Sequence, residues 1–149
     1  MNIDIRLDPE IEETEVMIRA KAIDQEVAAI QRALEAIEAG HLRRVIGIRG
    51  TDAVPLETAD ILRFHTQGKA VCAQTAAGTW QVRHRIRELV DQLDPSEFVQ
   101  INQGEIVNLR FVSRMDLSLA GTIKLELTNG ARSFVSRRSL AAFRTVINL

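Results

Sequence analysis

The stretch "GTIKLELTNGARSFVS", residues 121–136, limits what this chain can fold into more than any other. Ile123, Leu125 and Leu127 alternate with Lys124, Glu126 and Thr128, and a period of two can present one apolar face only in an extended strand. Asn129 and Gly130 then break the run. Both accept positive φ, so the expectation is a hairpin closed by a type I′ turn, with "ARSFVS" pairing back. The same grammar recurs upstream. "DILRFHT" and "KAVCAQT" meet through Gln67 and Gly68, "AAGT" leads into "WQVRH", and "FVQIN" and "EIVNLRFVSRM" add strand content. Only two helical spacings interrupt it. One is Ile86, Leu89, Val90 and Leu93 before Pro95, and the other is Leu140, Phe143, Val146 and Ile147. A mainly β fold with some α (α+β) follows, an antiparallel sheet domain with one or two short helices.

Residues 1–50 read differently. "NIDIRLD" alternates strictly, "EVMIRAK" does so more weakly, and "PEIEET" between them has turn character. Ile23, Val27, Ile30, Leu34 and Ile37 then form a narrow helical stripe, Gly40 suits a helix C-cap, and "RRVIGIRG" returns to strand content. The expectation is a strand-strand-helix-strand unit over 1–50, followed by a second domain over 54–149. Four such elements make a thin core, so the unit should lean on the rest of the chain or on a second copy. The stripe has two readings: a helix-to-helix dimer seam, or a cover for the strands around it.

Composition narrows the function. At 46% hydrophobic and 26% charged residues, the 149-residue chain has the balance of a soluble globular protein. It contains no apolar run of membrane-spanning length and no apolar leader, which predicts a cytoplasmic protein. Cys72 is the single cysteine and reads as a packed thiol. His41, His65 and His84 are widely spaced, no glycine-rich phosphate loop occurs, and no nucleophile lies near a base in sequence. Neither an enzyme, a bound metal, a cofactor nor a small-molecule substrate is expected. Charge is uneven: residues 1–40 carry ten acids and four bases, a net −6, whereas residues 41–149 carry a net +5. A basic excess suits a polyanionic partner and also suits a solvated face.

From residue 54 onward the chain resembles the LytTR family of bacterial DNA-binding domains. The segments that carry the likeness are "VPLETADILRFHTQGKAV", "RHRIRELVDQLDPSEFVQIN", "QINQGEIVNL" with its Val107-Asn108 pair, and "LTNGARSFVSRR". The resemblance implies an antiparallel β-domain that inserts loops, with no recognition helix, into successive major grooves of double-stranded DNA. It places the contacts at Gln67, Gly68 and Lys69, at Asn102 and Gln103, and at Ser136, Arg137 and Arg138. Many members have basic or aromatic residues before the "VN" strand, where this chain has Asn102, Gln103, Gly104 and Glu105; an acid there would repel phosphate, and the loop is expected to read bases through Asn102 and Gln103, which suit adenine. The function implied is a sequence-specific transcription regulator that binds direct-repeat promoter sites as a homodimer. Residues 1–50 would stand where response regulators carry a receiver, and control would come from a partner protein, such as a small membrane protein. The alternative is an interaction module that works through its acidic N-terminal unit with little DNA binding of its own.

Overall fold

The computed structural model describes residues 1–149, which divide into two compact units, Met1–Glu38 and Ala39–Leu149. In the first, the one regular element is helix α1, Gln25–Glu38. Asp24 caps it, its Oδ1 accepting from the Val27 amide at 3.0 Å, and Gly40 follows its end at φ 67°. The two strands anticipated over 2–8 and 15–21 do not form. Ile3, Ile5 and Leu7 are 74–92% exposed, and an extended segment without a paired neighbour leaves its backbone groups to water. Alternation names the face a strand would bury without supplying the partner it needs. Val27, Ile30 and Leu34 on α1 are half-buried, while Ile37 on α1 and Ile23, which precedes the helix, are exposed.

The strand expected to complete that unit, β1 (Arg44–Arg49), belongs instead to the second unit. It pairs there with β2 (Asp52–Glu57) and β5 (Gly78–Val82). Val45 is 2% exposed, and that burial anchors β1 in the larger core. With β3 (Ile61–Gln67), β4 (Ala70–Thr75), β6 (Phe98–Asn102) and β7 (Glu105–Asn108) it makes a seven-stranded antiparallel sheet in the order β2-β1-β5-β4-β3-β7-β6. A second sheet has the order β10-β9-β8, from β8 (Val112–Asp116), β9 (Ile123–Leu127) and β10 (Arg132–Val135).

Each face of the large sheet has its own core. Phe64, Val71, Val82 and Ile106 pack under helix α2 (Ile86–Gln92) through Ile86 and Leu89. Leu62, Val99, Ile101 and Val107 face the three-stranded sheet and helix α3 (Leu140–Ile147), meeting Ile123, Leu125, Val135 and Phe143. A bulge between Ile61 and Arg63 puts Ile61 and Phe64 on the same face. Every fully buried residue of this size contributes about 1.5 to 3 kcal/mol.

The 129–130 turn departs from expectation. Leu127 and Ala131 close a three-residue loop, only Gly130 has positive φ (84°), and the Asn129 side chain accepts from the Ala131 amide at 3.0 Å. This is a type I turn followed by a left-handed glycine. Asn129 serves by its side chain and keeps ordinary φ.

Asn108 has a structural role. It is 1% exposed, donates to the Ile61 carbonyl at 3.0 Å and accepts from the Arg110 amide at 3.1 Å. Asn108→Ala strands both backbone groups, so a thermal melt should show a loss of about 2 to 4 kcal/mol.

Candidate nucleic-acid interface

Three of the turns at one end of the large sheet come from segments far apart in sequence. Gln67 pairs with Ala70, leaving Gly68 and Lys69 as a two-residue turn with Gly68 at φ 63°. Asn102 pairs with Glu105, leaving Gln103 and Gly104. Because β3 pairs with β7 through His65 and Glu105, these turns are neighbours. The Thr66 amide donates to the Gly104 carbonyl at 2.9 Å, and a Cβ on Gly104 would collide with Thr66 Oγ1. Any larger residue there would have to displace the Thr66 side chain.

The third segment joins at the far side of β6. The Ser136 amide donates to the Ile101 carbonyl at 2.8 Å, and Asn102 Nδ2 donates to the Phe134 carbonyl at 3.3 Å. Ser136 Oγ accepts from the Ser139 amide at 3.3 Å, capping the single 3₁₀ turn Arg137–Ser139. The eight residues singled out from the resemblance are therefore brought together along one edge. Gln67, Gly68, Lys69, Gln103, Arg137 and Arg138 are exposed, and neither arginine forms an ion pair. Arg137 Nε lies 3.4 Å from where a Cβ on Gly121 would stand, so the arginine runs alongside that glycine at ordinary contact distance.

Asn102 is engaged where an outward-pointing side chain was expected. Its Oδ1 accepts from the Gly104 amide at 3.0 Å and its Nδ2 also donates to Glu105 Oε1 at 3.3 Å. The side chain braces the turn and leaves Gln103 as the residue that points out.

Glu105 is a paired and largely buried acid. Its carboxylate is bound by Arg63 Nη1 at 2.9 Å and by the Ser133 hydroxyl, with the two charged side chains only 18% and 13% exposed. Arg63 Nε in turn donates to Gln74 at 2.6 Å. This network links β3, β4, β7 and β10 directly behind the turns, and sequence reading missed it. The one signal available was an arginine in a strand otherwise shaped for burial. Burial and the Arg63 charge both lower the pKa of His65, which favours the neutral imidazole. Cys72 is a buried free thiol whose pKa burial raises.

The comparisons with known proteins agree with this geometry. The profile of the LytTr DNA-binding domain matches residues 52–148. A solved LytTr DNA-binding domain, of a putative methyl-accepting/DNA response regulator from Bacillus cereus, superposes with a TM-score of 0.70 at 18% identity. The match covers 72% of this chain and 99% of that one. Two Staphylococcus aureus proteins, from strains MSSA476 and NCTC 8325 / PS 47, are each 24% identical over all of this chain and 99% of their own length. Both are named as uncharacterized HTH-type transcriptional regulators. The class is a DNA-binding domain built mainly of β-strands, in which none of the three helices is followed by a second to make a helix-turn-helix. The chain belongs to the LytTR DNA-binding domain family. No helix is long and apolar enough to cross a membrane.

Proposed function

We propose that this chain is a sequence-specific transcription regulator that reads double-stranded DNA with the three-segment edge of its large sheet. The observation that carries the reading is the convergence of Lys69, Gln103 and Arg137 on one side, held by backbone hydrogen bonds from Thr66 to Gly104 and from Ser136 to Ile101. In it, Arg137 reads a base edge through its planar fork and Gln103 a second one. Lys69 and Arg138 hold phosphates, and Asn102 and Ser136 keep the turns in shape. Because rigid turns carry these side chains, little conformational entropy is lost on binding.

The protein binds as a homodimer at two like half-sites in direct repeat, with the α1 stripe from Ile23 to Ile37 as the contact between copies. Residues 1–24 leave Ile3, Ile5, Leu7 and Val16 at 60–92% exposure, a surface suited to a regulatory partner protein. The same exposure favours the second reading, in which the acidic unit is the working surface and DNA binding is weak.

Selection of bound duplexes from random DNA, followed by anisotropy titration, tests both. The expected result is a site held at least a thousandfold tighter than scrambled DNA, with two repeated half-sites. Removing residues 1–38 should weaken the double site by about a hundredfold or more while sparing a single half-site. Absence of any enriched sequence, or binding that does not weaken from low to physiological salt, rules the regulator reading out.

A further inference from the structure

We propose that Arg83, Arg85 and Arg87 form a fourth DNA-contacting element, one that grips phosphates beside the groove that the β3–β4 turn enters. The inference rests on the DNA-reading edge described above and extends it past β4. The last pair of the β4–β5 ladder is Val71 with Val82, so the chain leaves β5 at Arg83 beside Ala70, the residue that closes the Gly68 and Lys69 turn. The following residues hold the arginines in place. Val82 is 3% exposed, Ile86 9% and Leu89 0%, so packing turns the intervening Arg83, Arg85 and Arg87 outward. The Arg85 amide donates to Glu88 Oε1 at 3.2 Å and its carbonyl accepts from Leu89 at 3.1 Å, which fixes the entry into α2. None of the three guanidinium groups has a carboxylate partner.

Distance decides which part of the duplex they meet. Neighbouring strands stand about 4.8 Å apart, so the row from β5 across β4, β3 and β7 to β6 is roughly 19 Å wide. The major groove is about 12 Å wide. With the β3–β4 turn centred in a groove, the β5 exit lies one and a half strand spacings away, roughly 7 Å against a half-width of about 6 Å, so it falls over the rim, where phosphates and not base edges are in reach. Three alternating guanidinium groups on a fixed segment suit that backbone.

The test uses the full chain, a labelled duplex carrying the selected site, and a scrambled duplex, titrated between about 50 and 200 mM salt. Each phosphate contact adds about 0.9 to the slope of log K against log salt. The Arg83→Gln/Arg85→Gln/Arg87→Gln variant should lose about 2 to 3 from that slope and weaken both duplexes by the same factor. The triple lysine variant, which restores the charge, should recover most of the slope and controls for folding. A slope changed by less than about 0.5, or a loss confined to the selected duplex, overturns the proposal. Arg137→Ala in the same titration separates the two readings: it should lower the selected-to-scrambled ratio and leave the contribution of residues 83–87 to the slope intact. A ratio unmoved by Arg137→Ala would count against the DNA-reading edge itself, whatever the glutamine variant does.

Discussion

Arg137→Ala is expected to weaken binding to the selected duplex by about tenfold to a hundredfold, while binding to scrambled DNA falls only by the share of one positive charge. A bidentate arginine pair to a base edge carries about 1 to 3 kcal/mol of discrimination, whereas one charge over phosphate carries mostly salt-dependent, sequence-independent affinity. The two roles therefore differ in which duplex they affect. Stability should not move, because Arg137 is exposed, has no ion-pair partner and follows a 3₁₀ cap made by Ser136 and not by itself. A thermal melt superimposable on the parent, together with a fallen ratio of the two dissociation constants, is the expected pair of results. Arg138→Ala provides the contrast, with both duplexes weakened alike. Equal losses on both duplexes for Arg137→Ala would assign it to phosphate and count against base reading by this edge.

The part of this edge that sequence revealed is the part set by local rules. A strand of period two that meets a glycine must turn, and the pairing of Gln67 with Ala70 and of Asn102 with Glu105 puts the β3–β4 and β6–β7 turns where alternation ends. Local rules fail where a neighbour decides. "NIDIRLD" has the alternation of a strand and no partner, so Leu7 is 92% exposed, while β1 leaves the N-terminal unit because Val45 has a core to enter. At residues 128–130 the loop length, set by the register of β9 against β10, overrode the propensity of Asn129 for positive φ. The bulge after Ile61 is equally silent in sequence, although it decides which face Phe64 joins. Least legible was the polar network, since Glu105 lies 42 residues from Arg63 and 28 from Ser133 along the chain. Read alone, an acid beside a turn proposed to meet DNA suggests repulsion; folding gives it a partner and changes its meaning.

That change of meaning has a measurable consequence in Glu105→Ala. If the carboxylate merely repelled phosphate, its removal would tighten DNA binding and leave the melt alone. The structure predicts the reverse order of effects. With the Glu105 side chain 13% exposed and Arg63 18% exposed, deleting the acid leaves a guanidinium largely out of water without its counter-charge, and removes the acceptor of the Ser133 hydroxyl, which still accepts from Arg63 Nη1, and of one Asn102 bond. Breaking one side of such a pair costs about 2 to 4 kcal/mol once partial solvation is allowed for. For a unit of this size that is roughly 8 to 16 °C in melting temperature. The DNA effect follows through Asn102, which keeps its bonds to Gly104 and to the Phe134 carbonyl but loses the anchor on β7. The Gln103 turn should loosen against the Ser136 segment, so discrimination falls at temperatures where the variant remains folded, even as one negative charge is removed. Arg63→Met with Glu105→Leu separates the two consequences: an apolar pair of similar volume should regain much of the stability and little of the discrimination, because it restores packing without restoring the bond to Asn102. A Glu105→Ala protein that melts like the parent and binds both duplexes more tightly would return the residue to the role of a plain surface acid.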